Sequence, residues 1–586
     1  MDWTIIVAYF VFALSVGLVF SRRAGRSVVD YFVSGRSLPW WIAGTSMVAT
    51  TFAADTPLAV TGLLATNGLA GNWFWWSFAV GGMFTVFIYA RLWRRAEVLT
   101  DVELVELRYG GRPAKILRGF RAGYVAVLVN SIIMGWVTGA MLKVLKVTVL
   151  AEASAAGELS DWMIIVAMLA VVGVYSTLAG LWGVAVTDFL QFMLAMGGCI
   201  ALAVIAVGHV GGLDALQVKV AANFGGGEQA FRYLPDFTAA DPWMPLEVFL
   251  ILLFVQWWAT WYPGAEPGGG GFVVQRMASC KDEKHALWAT LWFQIAHYCV
   301  RPWPWLMIGF AALALYPDLR SLDDPGEGFP MVIRDVAPNG LRGLMLVAFA
   351  SAFMSTISTQ MNWGASYLVN DVYRRFIKPD ADQGHLTRAS RIASLVVLVL
   401  GGVSAWLMKD VSVDRAWKLL AALGAGTGAV YMLRWFWWRI NAWSEITAMI
   451  ASLVYFLIVQ RFVTTPEYQM ALTAGLTIPT WLVVTFLTAA ERPETLHRFY
   501  RKVRPAGIGW RPLARAAPDV QTDRNLGISL LLVLVSSTLV YLTLPGVGLL
   551  IFGRIGPAVL CLGGAAVCAI LVAWFTKLAG SKSIVS

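Results

Sequence analysis

The sequence predicts an all-α polytopic membrane protein, and two observations carry that prediction. Of 586 residues, 58% are hydrophobic and 14% charged, against about 25% charged in an ordinary soluble domain. The apolar residues also fall into repeated, unbroken runs of about 20, the length at which a helix crosses a bilayer. A soluble enzyme, a disordered scaffold and a secreted disulfide module are excluded by this pattern. The five cysteines include no C-x-x-C pair and the five histidines no H-x-x-x-H pair, so no metal centre or other cofactor is expected. Cys561 and Cys568, on one apolar helix, read as packing residues.

Fifteen candidate spans follow, at 3–20, 39–66, 73–93, 122–142, 161–180, 184–208, 244–275, 287–315, 343–369, 392–408, 416–433, 442–460, 468–490, 526–544 and 557–576. The first is no cleaved signal: Asp2 precedes it, no A-x-A site follows, and Arg22, Arg23 and Arg26 come directly after it. Those arginines belong in the cytoplasm by the positive-inside rule, which puts the N-terminus outside. Alternation from there gives inner loops 32 of the 45 Lys+Arg and outer loops 12, with Arg301 inside a span. The odd span count then places the C-terminus inside. The richest inner segments are 91–121, which includes Arg108, Arg118 and Arg121, and the loop 491–525. Their charge sets orientation and meets anionic headgroups, so the net charge of +10 implies membrane lipid and no nucleic acid as partner. None of the nine asparagines lies in N-x-S/T, which favours a bacterial source and an inner-membrane location.

Two spans look broken. A helix in lipid has no reason to break unless the freed backbone lines a cavity. In span 2, V-A-T-T-F-A-A-D-T-P-L-A-V-T-G, Pro57 removes an N–H and crowds the Ala53 carbonyl, with Asp55 at the break near mid-membrane. In span 7, Q-W-W-A-T-W-Y-P-G-A-E-P-G-G-G-G contains Pro263, Pro267 and a run of glycines, with Glu266 between the prolines. The two breaks are five spans apart. Because five is odd, the second half is inverted relative to the first, the arrangement of transporters built from inverted repeats. Structural proline kinks are the alternative.

Span 9 carries S-A-F-M-S-T, in which Ala352, Ser355 and Thr356 share one helix face. Two hydroxyls and a carbonyl there would supply part of a shell of hard oxygens for Na⁺, and carbonyls freed at the break in span 2 the rest. The residues alone leave open the commoner use of such hydroxyls, which is bonding back to the i−4 carbonyl or joining neighbouring helices.

With N-D-V-Y-R-R-F after it, this segment resembles the sodium-ligand helix of the sodium:solute symporter family. Segment 31–75 is similar to the family's N-terminal signature, G-L-W-G-V-A-V-T-D-F-L-Q (180–191) to its span-6 entry, and F-V-V-Q-R (272–276) to the segment after its broken seventh span. The resemblance covers about residues 3–490. It implies a leucine-transporter-like, five-plus-five inverted repeat, with units at 1–38 (accessory span), 39–208 (first repeat), 244–438 (second repeat), 439–490 (accessory spans), 491–525 (basic loop) and 526–586 (two extra spans). It implies sodium ligation by the Ala49, Phe52 and Ala352 carbonyls and the Ser355 and Thr356 hydroxyls, with Asp188 on the sodium exit path. As a bare feature, Thr187-Asp188 reads equally as a helix cap.

In that architecture the solute lies between the broken helices. The candidates are Asp55, Thr56, Gln256, Trp257, Thr260, Trp261 and Tyr262, with Gln294 and Thr427 further off. Gln294 falls where sugar-transporting members resemble one another in having a lysine, and K-L-L-A-A-L-G-A-G-T-G lacks their sugar-binding glutamine, so a hexose is not supported. The function implied is sodium-coupled symport importing a small polar organic solute by alternating access, with Na⁺ as coupling ion, and not an enzyme. The rivals are a proton-coupled carrier using Asp55 or Glu266, and a transporter-like sensor. The oligomeric state is not legible.

Overall fold

Backbone amides in hydrocarbon must be satisfied within their own segment, so the apolar runs can only become helices. The computed structural model describes every residue except 1, 25, 26, 227, 241, 261–267, 269, 524, 525 and 584–586. Among the described residues it contains helices and no strand. In chain order they are α1 (Asp2–Ala24), α2 (Trp40–Phe52), α3 (Thr56–Asn67), α4 (Leu69–Ala96), α5 (Gly111–Val147), α6 (Asp161–Val210), α7 (Leu246–Ala259), α8 (Gly271–Ser279), α9 (Glu283–Ile295) and α10 (Pro302–Leu315). There follow α11 (Leu341–Ile377), α12 (Gln383–Met408), α13 (Val413–Leu423), α14 (Thr427–Leu433), α15 (Ala442–Val459), α16 (Pro466–Leu487), α17 (Pro493–Val503), α18 (Leu526–Ile551) and α19 (Ile555–Ser583).

Nine helices among the described residues are long and apolar enough to cross a membrane, or eleven when each of two bent pairs counts as one span. Shorter apolar helices fall on expected spans 1, 5 and 7. Spans 5 and 6 are joined as the 50-residue α6, about 75 Å at 1.5 Å per residue, well over the thickness of one bilayer. No proline interrupts 161–210, and the expected boundary at 181–183 stays helical. Thr187 Oγ1 bonds back to the Gly183 and Val184 carbonyls. Asp188 therefore lies mid-helix, and the helix-cap reading fails.

The break in span 2 is real and falls just before Pro57. Helix α2 ends at Phe52, Ala53 takes φ 37° and ψ 163°, and α3 starts at Thr56 with a bend of 53° between the two. Pro57 sits in the first turn of α3, where its missing N–H has no intrahelical partner to lose. Span 7 passes through a π-helical turn at Leu252–Gln256 and ends at Ala259, with Thr260 extended, and resumes as α8. Pro263, Glu266 and Pro267 lie outside the described residues. Gly271, at φ 52°, opens α8; a Cβ there would lie 2.6 Å from the Trp363 ring.

A third break was not expected. Span 11 bends by 58° between α13 and α14, over Gly424-Ala425-Gly426, with Gly426 at φ 88°. It meets the end of α7: the Gly426 N–H donates to the Ala259 carbonyl at 2.7 Å, and a Cβ on Gly428 would lie 2.2 Å from the Trp258 carbonyl oxygen. The Gly-Ala-Gly run carried the signal, but without a proline it read as ordinary helix.

Helices α2, α6 and α11 pack on one another, α1 lies against α6 and α11, and α18 pairs with α19 while touching α4. At one end of the bundle sits an ion network that corrects the headgroup reading of segment 91–121. Arg108, Arg118 and Arg121 are buried. Arg118 bridges Asp371 and Glu106 at 2.6 Å each, and Arg121 bridges Asp101 at 3.1 Å and Glu445 at 3.3 Å. Arg434 and Tyr109 also donate to Glu445, at 3.2 and 2.6 Å. Partial burial acts to raise the Glu106 carboxyl, but hydrogen bonds from Arg375 and Arg118 hold it below the usual carboxylate range.

Removing one member of such a network strands a charge in a dry site. Glu445→Ala is expected to cost about 3–5 kcal/mol, whereas Asp519→Ala, which breaks the exposed Arg501–Asp519 pair, costs at most about 1 kcal/mol. Thermal unfolding of the purified variants checks the contrast.

Candidate functional site

The last four carbonyls of a helix have no intrahelical partner, and α2 leaves those of Ala49, Thr50, Thr51 and Phe52 buried in mid-bundle. Thr50's carbonyl accepts from Thr356 Oγ1 at 2.9 Å, and Thr51's from Thr56 Oγ1 at 3.1 Å. No side chain among the described residues donates to the Ala49 or Phe52 carbonyl, the two expected to ligate Na⁺. Their residues are buried, as are Ala352, Ser355 and Thr356 across the interface on α11. The Thr356–Thr50 contact sets this stretch of α11 against the end of α2 that carries Ala49 and Phe52.

Both hydroxyls have their protons directed away. Thr356 Oγ1 lies between the carbonyls of Thr50 and Ala352, the latter at 3.0 Å, and Ser355 Oγ donates to Asp188 Oδ1 at 2.6 Å. A hydroxyl that donates its proton keeps lone pairs for a cation. These residues fit a small alkali ion. No group of three or more His, Cys, Asp or Glu suited to another metal occurs among the described residues.

Asp188 ties three elements together. Its Oδ2 accepts from Ser46 Oγ of α2 at 2.5 Å, its Oδ1 from Ser355 of α11, and the Arg276 guanidinium of α8 stands 3.9 Å away. Arg276 in turn donates to Ser46 Oγ at 3.2 Å and to Thr359 Oγ1 at 2.7 Å. This polar plug is buried and lies toward the Trp40 end of α2.

On the other side of the break is a cavity of about 980 Å³, open space at its mouth included. Asp55, Thr56 and Gln294 line it, with Thr50, Thr51 and Thr356 where it meets the α2–α11 contact. Asp55 is 3% exposed, and Trp417 Nε1 donates to its Oδ2 at 3.1 Å. The other solute candidates lie elsewhere. Gln256 Nε2 is bound to the Phe74 carbonyl at 2.7 Å, Trp257 stacks on Phe84, and Thr260 Oγ1 bonds the Gln256 carbonyl at 2.9 Å. Thr427 Oγ1 bonds the Gly424 carbonyl at 2.6 Å and faces a separate small pocket with Arg121 and Tyr431. Trp261 and Tyr262 lie outside the described residues.

Arg301 and His297 also line the cavity, and neither is a site candidate in the sequence reading, which places Arg301 only as a charge inside a span. Arg301 NH1 donates to Thr51 Oγ1 at 3.0 Å and to the Val48 carbonyl at 3.4 Å, and its guanidinium sits 5.0 Å over the Trp305 ring. The signal was present: an arginine inside an apolar span marks a functional position by default, and His297 lies one turn before it on the same face.

A bundle whose broken helix borders a buried polar cavity is the construction of a secondary transporter. The sodium:solute symporter family matches residues 31–454, and the chain belongs to that family. It is a multi-pass membrane protein, a transporter and not an enzyme, in a class that couples solute movement to Na⁺. It is 26% identical to rabbit (Oryctolagus cuniculus) sodium/glucose cotransporter 1 over 481 residues, 75% of this chain and 69% of that one. It is 25% identical to the Vibrio parahaemolyticus sodium/glucose cotransporter over 478 residues, 78% of this chain and 84% of that one. A substrate-bound, outward-open Na⁺-coupled sialic acid symporter shares the fold, with TM-score 0.66 and 22% identity over 84% of this chain and 98% of that one.

The Trp417–Asp55 contact can be isolated. Trp417→Phe keeps the ring and removes the donor, leaving Asp55 Oδ2 short of its partner. A loss of about 1–3 kcal/mol is expected, read as a lowered Tm, and an unchanged Tm would show that the bond contributes nothing.

Proposed function

We propose that this chain imports a small polar organic solute together with Na⁺ by alternating access, in a bacterial inner membrane. The cation is held by the Ala49, Phe52 and Ala352 carbonyls and the Ser355 and Thr356 hydroxyls, and the solute occupies the cavity at Asp55, Thr56 and Gln294. One observation carries the reading. Thr356 Oγ1 of α11 bonds the Thr50 carbonyl at the broken end of α2, where no described side chain donates to the Ala49 or Phe52 carbonyl, and this supports a shell of neutral oxygens drawn from both helices. Neutral oxygens hold an alkali ion weakly enough to release it.

Coupling follows from shared elements. Thr356 borders both the sodium niche and the cavity, so each ligand favours the same packing of α2 on α11, and their affinities are reciprocally linked. Asp188 lies on the release path: a cation leaving toward the plug meets its carboxylate, and the contacts to Ser46, Ser355 and Arg276 must part before the inner side opens. Moving one unneutralised charge inward down about 100 mV contributes roughly 2.3 kcal/mol.

The test needs no solute. Thermal unfolding of the purified protein in NaCl should exceed that in KCl, by about 2.7 kcal/mol in stability at a hundredfold excess over Kd. Ser355→Ala with Thr356→Ala should abolish the difference while the protein still folds. A double variant that keeps its sodium response contradicts the ligand assignment, and stabilisation by acid pH in place of Na⁺ favours the proton-coupled rival.

A further inference from the structure

The cavity joins an unsatisfied buried carboxylate oxygen to an aromatic wall. Asp55 Oδ2 has its donor in Trp417, but Oδ1 has no hydrogen-bond partner, and the residue is 3% exposed. A buried acceptor in that state is costly until a ligand supplies a donor. Phe74, Trp75, Trp136, Tyr298 and Trp417 line the same space, and aromatic faces attract a cationic group. Arg301 lines it too, fully buried and oriented by Thr51, the Val48 carbonyl and the His297 ring.

A cavity with a carboxylate and a guanidinium in one apolar wall suits a solute that carries both charges. A sugar can donate a hydroxyl to Oδ1 but carries no charge to set against either group. A simple cation meets Asp55 at the expense of facing Arg301, and a simple anion has the reverse problem. Resting on the symport reading above, we propose that the solute is a small zwitterion, amino-acid-like or betaine-like, with its ammonium group at Asp55 and its carboxylate toward Arg301.

Thermal unfolding of the full-length protein in NaCl and in KCl tests this. L-alanine, L-proline and glycine betaine serve as zwitterions, with choline, propionate and D-glucose as controls. At least one zwitterion is expected to raise Tm in NaCl, with half-saturation about tenfold or more below that of any control. Asp55→Asn should weaken it by about the same factor and keep the stabilisation by Na⁺ alone, which shows that the variant folds. The ligand order in the unaltered protein is a test that needs no variant. The proposal is overturned if no zwitterion shifts Tm, if a control binds as tightly, or if Asp55→Asn leaves zwitterion affinity unchanged. It also falls if Asp55→Asn removes the Na⁺ response, which would assign the carboxylate to the cation. Zwitterion binding equal in NaCl and KCl upholds the solute class and contradicts sodium coupling, whereas Na⁺ stabilisation with only glucose bound does the opposite.

Discussion

A carbonyl without a donor in the middle of a membrane must be answered by something, and the rest of this structure is arranged around that requirement. Ending α2 at Phe52 frees four carbonyls where no bulk water can reach them freely. Two are answered by the chain's own threonines, Thr356 and Thr56. The remaining two receive no hydrogen bond from a described side chain, and a buried acceptor in that state is costly. The strained backbone at Ala53 fits this view, since a non-glycine residue at φ 37° persists only where its surroundings over-determine it.

Asp188 gives the niche a direction. Its carboxylate is shared between Ser46 on α2 and Ser355 on α11, with Arg276 of α8 beside it. The same carboxylate therefore joins α6 to α2 and α11. A buried network of this kind holds one arrangement firmly while every member is satisfied. The second buried network, around Glu445, lies apart from the cavity and fastens α5, α14 and α15 to one another.

Much of this was legible in the sequence, and the limits have physical reasons. Pro57 and Asp55 announced the first break, and the i, i+3, i+4 spacing of Ala352, Ser355 and Thr356 announced the stripe. Which carbonyls were free was not legible, because it depends on where Thr56 and Thr356 direct their hydroxyls. Gln256, Trp257, Thr260 and Thr427 lie near breaks in sequence but turn to helix carbonyls or neighbouring rings, a rotational fact that a linear reading does not contain. Arg301 passed as a stray charge because its role is visible only when span 8 is packed against α2. The arginines of 91–121 look like interfacial charge until Asp371 and Glu445, hundreds of residues on, are brought to them.

A high-resolution density map of the protein in Na⁺, set beside one in K⁺, reaches the heart of the matter. Compact density bounded by the Ala49, Phe52 and Ala352 carbonyls and the Ser355 and Thr356 hydroxyls, present in Na⁺ and absent in K⁺, is the outcome this structure predicts. An ordered cation seated on Asp55 instead, or an α2 that runs unbroken past Ala53, would contradict it.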